Sequence, residues 1–159
     1  MLNILRLLGL AALCVGCISC SSTKLANAKR INGVKTTAYT HSESDHLKYG
    51  AKAATGEPLK YGRVRSAATD WSVYPVGTVF KIDGEPYLYE VDDYGSALVG
   101  TNTIDLYKPS KSDMNKWGAK QVNISVLKWG SFNKSVEIMK PRMKYPHIQQ
   151  MVKRIERSS

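Results

Sequence analysis

Asp70, Asp93 and Asp105 each lie at the edge of a short glycine-punctuated run, and no thiol or histidine pair accompanies them. The stretch VDDYGSALVGTNTIDLY, residues 91–107, has turns at Gly95 and Gly100 between two acid-bearing segments, so the chain can bring Asp93 and Asp105 back toward each other. Carboxylates gathered beside a groove repel one another and lose hydration, and both effects raise their affinity for a proton. A carboxyl that keeps its proton near neutral pH can serve as a general acid. A single aspartate beside a glycine is also an ordinary turn former, because its side chain accepts from nearby backbone N–H groups. The trio therefore takes its meaning from the segments that carry it.

Those segments are mostly β. GVKTTAYT, RVRSAAT, TVFKI, EPYLYEVDD, TNTIDLY and QVNISVLKW are rich in Val, Ile, Thr and Tyr with partial alternation, and Gly and Pro turns separate them, which predicts six strands. One short helix is predicted over residues 108–118, with Ser110 three before Asp113 as its start and Gly118 as its stop, turning Met114 and Trp117 toward the core. The expected class is a mainly β, small closed barrel with one inserted helix and a helical C-terminal tail. In that tail Ile148, Met151, Val152 and Ile155 recur at helical spacing, with Lys153, Arg154 and Arg157 largely on other faces. Packing of the stripe on the barrel is expected; a basic helix lying on an anionic membrane is the alternative. Between Thr40 and Arg63 lies a long loop of the kind that is usually functional or mobile. Its His41, Glu43, Asp45 and His46 are zinc-ligand types, but nothing aligns the histidines, and a solvated loop without metal is expected.

Read together, AATDWSVYPVGTVFKI, YEVDDYGSALVG, NTIDLYKPS and WGAKQVNISVL resemble the 3D domain, named for three aspartates, of membrane-bound lytic transglycosylase A and of cell-wall proteins related to resuscitation factors. The family words are approximately A-x-D with I-P-x-G-T, then D-x-G-G-A-I-x-G, then I-D-x-Y, and Asp70, Asp93 and Asp105 fall on the three aspartates. The likeness runs from about Lys35 to Gly130. Gly95 and Ser96 stand where the family usually has two glycines, and GTNTID is longer by about one residue. Asp92 precedes Asp93, and the alternation of Tyr87, Tyr89 and Val91 assigns the family position to Asp93, on the more apolar face.

The resemblance implies a six-stranded double-psi β-barrel. It also implies cleavage of the β-1,4 bond between N-acetylmuramic acid and N-acetylglucosamine of peptidoglycan strands, leaving a 1,6-anhydro end. Ordinary glycosidases set two carboxylates about the scissile bond. Here the sugar's own C6 hydroxyl attacks, so one acid can protonate the leaving oxygen and then collect the hydroxyl proton. Asp105 is expected in that role, Asp93 beside it to sustain its proton affinity and stabilise the oxocarbenium-like charge, and Asp70 to orient the pair or the sugar. Tyr39 and Tyr94 are expected either to stack on sugar rings or to belong to the barrel core, with Gly95 and Ser96 also at the substrate, where Ser96 makes the backbone approach less close than the family's second glycine does. This chemistry requires no cofactor. The alternatives are a non-catalytic wall-binding lipoprotein and plain hydrolysis of the same bond.

Residues 1–20 carry Arg6 and then LLGLAALCVGC, the length of a signal-peptide core and short for a membrane span. Gly16-Cys17, or Ser19-Cys20, looks like a lipoprotein cleavage site, with Cys17 preferred as the lipidated residue; an ordinary secretory signal is the alternative. All three cysteines lie in this segment, which leaves the rest without thiols for disulfides or nucleophilic catalysis. Residues 21–33 read as a flexible tether, 34–133 as the barrel domain and 134–159 as a basic tail. Of 23 basic and 13 acidic residues only Arg6 falls in the leader, so the remainder carries +9. That balance suits anionic wall or lipid head groups. Nucleic acid is not expected as a partner, and the expected species is an exported, membrane-anchored monomer.

Overall fold

A computed structural model describes residues 28–43 and 50–158. The leader with Cys17 and Cys20, most of the tether, and Asp45 and His46 lie outside the described residues. Six strands, β1 (Lys29–Tyr39), β2 (Val64–Ala68), β3 (Val79–Ile82), β4 (Leu88–Asp93), β5 (Thr103–Tyr107) and β6 (Lys120–Lys128), close a barrel in the order β1-β5-β2-β4-β3-β6. β1 runs parallel to β5 and β2 parallel to β4, while the other seams are antiparallel. This is the closed mixed barrel expected from the resemblance, with no open edge.

Alternation decides the interior. Ile104 and Leu106 of β5, Tyr89 and Val91 of β4, Phe80 and Ile82 of β3, and Ile124 and Val126 of β6 belong to one buried cluster. Phe80 and Tyr89 pair in register and their rings stack at 5.5 Å. β1 begins at Lys29, ahead of the Gly33 at which the sequence starts to alternate, because β6 offers partners: Lys29 faces Val126, Arg30 faces Ser125 and Ile31 faces Ile124. The register then shifts between Ile31 and Val34, and Gly33 takes φ +66° there, a left-handed conformation glycine adopts without penalty.

Among the described residues three α-helices accompany the barrel. α1 (Lys111–Trp117) starts and stops where the sequence signals it: the Ser110 hydroxyl accepts from the Asp113 amide, and the Gly118 amide returns to the Met114 carbonyl. Its Met114 and Trp117 are half-buried, not fully in the core as expected, because this short helix lies on the outside of β1. α2 (Phe132–Met139), which the sequence reading missed, is capped by the Ser131 hydroxyl accepting from Lys134. α3 (Pro146–Ser158) buries Ile148, Met151, Val152 and Ile155 in the same cluster as the barrel interior, so the apolar stripe packs on protein.

The connection from β6 to α2 passes extremely close to the one from β2 to β3. The Gly130 amide donates to the Thr78 hydroxyl at 3.0 Å. A Cβ built on Gly130 would lie under 3.0 Å from the Val76 and Pro75 carbonyl oxygens and the Thr78 amide, all of them backbone atoms that cannot swing aside. Gly130→Ala is therefore expected to destabilise by about 3 kcal/mol and lower the melting temperature by roughly 10 °C. Gly62→Ala, with nothing within 4 Å of its added carbon, should shift it little, and a thermal melt of both variants checks the pair.

Candidate functional site

One transverse row of the barrel wall carries the site. Thr37 pairs with Asp105, Asp105 with Ala68, and Ala68 with Asp93, across β1, β5, β2 and β4. Directly paired residues share a face, so the two aspartates flank the methyl group of Ala68 on two strands about 10 Å apart. The face is the outer one, since the neighbouring positions Ala67, Val91 and Leu106 point into the core cluster. A second small cluster forms there from Tyr39, Ala68, Leu98 and Tyr107, with Leu59 and Tyr61 of the long loop packed on it.

A bulge puts Asp93 on this face. Ala67 pairs with Val91 but Ala68 pairs with Asp93, so β4 has one residue more than β2 at that point. Parity from Tyr87, Tyr89 and Val91 would have sent Asp93 inward; the extra residue reverses it, and Asp92 and Asp93 stand together on the outer side. Asp93 is buried, and accepts from the Tyr39 hydroxyl at 3.0 Å, the Ala54 amide at 3.0 Å and its neighbouring Tyr94 amide at 2.9 Å. The Ala54 amide comes from the loop over residues 53–57, which turns at Gly56 with φ +91° and also passes the Thr55 amide to the Asp92 carbonyl. Asp105 is half-buried and accepts from the Thr37 hydroxyl at 2.7 Å.

Tyr39 is the hub. Burial first, then the charges of Asp93 and Asp92, its hydrogen bond to Asp93 and the charge of Asp105, hold its hydroxyl proton well above the ordinary phenol range. It therefore acts as a fixed donor amid three carboxylates. Asp92, which the sequence reading set aside, is 3 % exposed. Its Oδ2 accepts from the Ser66 hydroxyl at 2.6 Å and lies 3.6 Å from the Lys60 ammonium, while Oδ1 is buried without a hydrogen-bond partner among the described residues. Burial pushes its carboxyl up to about 6, with the charges of Asp93 and Glu90 adding, against the Ser66 hydrogen bond and the Lys60 charge. The VDD doublet was the available signal for Asp92; Lys60 and Ser66 left none.

Asp70 has a different environment. It is 1 % exposed. Its Oδ1 accepts from the amide and hydroxyl of Ser72 at 2.9 and 2.6 Å, and its Oδ2 from the Gly100 amide at 2.8 Å and Arg154 Nη1 at 3.1 Å. The carboxylate thereby ties the segment after β2 to the turn at Gly100 and to α3. The Tyr94 ring meets Trp71 edge-on at 4.9 Å, and Arg142 donates to its hydroxyl at 3.1 Å. Gly95 precedes a 3-10 turn over Ser96–Leu98 in which Ser96 is exposed. In the long loop, His41 Nδ1 lies 2.8 Å from the Tyr107 hydroxyl and the Glu43 carboxylate accepts from the Thr40 amide, so each has a protein partner.

Residues 65–128 match the model of the 3D domain, the family that the sequence resembles. YabE of Bacillus subtilis (strain 168), named for cell wall shaping, is 36% identical over 99 residues, covering 62% of this chain and 23% of the relative. The cell wall-binding protein YocH of the same organism is 34% identical over 108 residues, 67% of this chain and 36% of the relative. The chain thus spans about a third or less of the length of these relatives. Among solved structures, MltA from E. coli shares 27% identity over 50% of this chain and 28% of its own, at a TM-score of 0.39.

The fold favours the protonated form of Asp92, so that stabilisation is complete below the unfolded-state value near 4 and is lost as pH rises through about 6. A shift of this size corresponds to up to ~3 kcal/mol. Asp92→Asn removes the ionisation, so its stability relative to the wild type should climb between pH 4 and 7 and then level off. Denaturant unfolding of both proteins across that range checks it; a difference independent of pH would contradict the assignment.

Proposed function

We propose that this protein is a cell-envelope enzyme of lytic transglycosylase type, acting on the glycan strands of peptidoglycan. The observation that carries the reading is the assembly of Asp93, Asp105 and Asp92 around the Tyr39 hydroxyl on one outer face of the barrel. Three acids held together in this way exceed what recognition of neutral sugar hydroxyls requires. The names of YocH and YabE, which concern cell wall binding and shaping, support the substrate and the location.

In this reading Asp105, the half-buried member of the row, contacts the scissile bond. Its proton passes to the glycosidic oxygen as the C1–O4 bond breaks. The C6 hydroxyl of the same muramic acid residue then closes on C1, and its proton returns to Asp105. Atoms balance without water, and the products are a new 4-hydroxyl end and a 1,6-anhydro end. Asp93, oriented by three donors, supplies negative charge beside the oxocarbenium-like sugar. Thr37 aims Asp105 and Tyr39 aims Asp93. Asp70 is a positioning residue that sets the turn at Gly100 through its hydrogen bonds and touches no reacting atom. An N-terminal lipid on Cys17 or Cys20, together with a surplus of basic residues, would hold such an enzyme at the membrane as a monomer.

Asp105→Asn should lower release of 1,6-anhydro muropeptides from purified sacculi by at least ~100-fold, with the melting temperature close to that of the wild type. Mass spectrometry of the digest reads the products, and a co-sedimentation assay reads binding to the same sacculi. Products carrying one added water would assign hydrolysis instead. Retained sedimentation with no product from either protein would assign a wall-binding role.

A further inference from the structure

Beyond the carboxylate row lies a basic recess of about 280 Å³, lined by Tyr61, Lys108, Lys116, Trp117 and Lys120 together with Glu85 and Asp113. Lys108 is its anomaly. The residue is 5 % exposed, yet its ammonium has no hydrogen-bond or ion-pair partner among the described residues. What meets it is aromatic: Nζ lies 4.4 Å from the centre of the Trp117 ring and 5.9 Å from that of Tyr61. Lys120 Nζ approaches the same Trp117 ring at 3.6 Å, and the Arg65 guanidinium covers Tyr61 at 4.0 Å. Burial, then the charge of Arg65, lowers the proton affinity of Lys108, with Lys120 adding to that and Glu85 and Asp113 opposing it. The two acids act at a distance. Asp113 accepts from the Ser110 hydroxyl at 2.7 Å at the start of α1, so its side chain is already engaged. An ammonium packed against aromatic rings and opening onto the recess, with no bonded anion beside it, is placed to meet an anionic ligand there.

The recess is joined to the carboxylate row by a series of rings. Tyr39, the donor to Asp93, lies 5.6 Å from Tyr107, Tyr107 lies 6.2 Å from Tyr61, and Tyr61 forms the near wall of the recess. The Lys108 amide also donates to the Tyr39 carbonyl at 2.9 Å, which fixes the start of the recess against the end of β1. Lys108 follows Asp105 by three residues, so their backbones lie at most about 10 Å apart, a span that a short acid-bearing branch from a sugar held at Asp105 can cover. A single carboxylate suits the lining, where three lysines outnumber two acids by one.

We propose that this recess is a subsite for a free carboxylate of the peptide stem carried by the glycan, with Lys108 as its buried donor, Lys120 as a second cation and Trp117 as its floor. The assignment rests on the glycan reading of the carboxylate row, and it makes the substrate a stem-bearing strand, not a bare one. Lys108 is a specificity residue; it takes no part in bond cleavage.

The test uses the exported chain in titration calorimetry with two soluble probes, a disaccharide with its peptide stem and the same disaccharide stripped of peptide. Lys108→Met keeps the length of the side chain and removes its charge. It should weaken binding of the stem-bearing probe at least 10-fold and leave the stripped probe unchanged. Equal loss for both probes, or no loss for either, would overturn the subsite. The wild-type protein gives a second measurement that needs no variant: esterifying the stem carboxylates should cost a similar factor, and equal affinity for acid and ester would reject the proposal. If a glycerol phosphate oligomer binds more tightly than the stem-bearing probe and its binding requires Lys108, the recess belongs to a phosphate polymer and the carboxylate assignment fails. Binding is read apart from bond cleavage, so stem discrimination without product would leave this subsite standing while removing the transglycosylase reading.

Discussion

β4 carries one residue more than β2 can pair, and the bulge that absorbs it decides which face of the barrel its last two aspartates occupy. Without it, strict alternation would drive Asp93 into the cluster of Val91, Leu106 and Ile104, where an unpaired carboxylate is untenable. With it, Asp92 and Asp93 both leave the core side, and the loop over residues 53–57 has two acceptors to fold against. The turn over residues 53–57 and the hydrogen bond of the Tyr39 hydroxyl both depend on that one irregularity. Bulges beside functional residues are common because they re-aim side chains that a regular strand could not present.

The site is electrostatically graded. Asp93 accepts from Tyr39, Ala54 and Tyr94 and Asp105 from Thr37, whereas Asp92 has one oxygen bound by Ser66 and another buried without a hydrogen-bond partner among the described residues. Proton affinity is thus raised on the acid that sequence reasoning passed over. Lys60 tempers this effect: burial works against its charge, yet its hydrogen bond and ion pair with Glu90, and the nearby Asp92, raise its proton affinity on balance. Like charges are tolerated beside Tyr39 because its hydroxyl and the loop amides supply donors where solvent is excluded.

All six strands were legible in the sequence, because a closed barrel has one apolar interior and each strand must alternate against it; Ile104 with Leu106 and Ile124 with Val126 are plain cases. The caps of α1 were equally readable, since Ser110 and Gly118 act on atoms a few residues away. What failed to show was set by partners distant in sequence. The strand over Lys29–Asn32 exists because β6 lies beside it, and the bulge at Asp92 exists because of where Ala68 sits. α2 has only Ser135 and Met139 fully buried, too faint a stripe to register as a period. The three family aspartates were found as letters, but the separate task of Asp70 could not be, because its partner Arg154 lies 84 residues away.

The ion pair of Asp70 with Arg154 changes what counts as the working unit. The family match ends at residue 128, yet Met139, Ile148, Met151, Val152 and Ile155 complete the core, and Arg154 reaches back to the turn that follows the bulged strand. The last helix is therefore a keystone, set in place after the six strands and bearing on the arch that frames the acids. A fragment cut at the family boundary would keep every motif by which the chain is recognised and lose the piece that closes the vault.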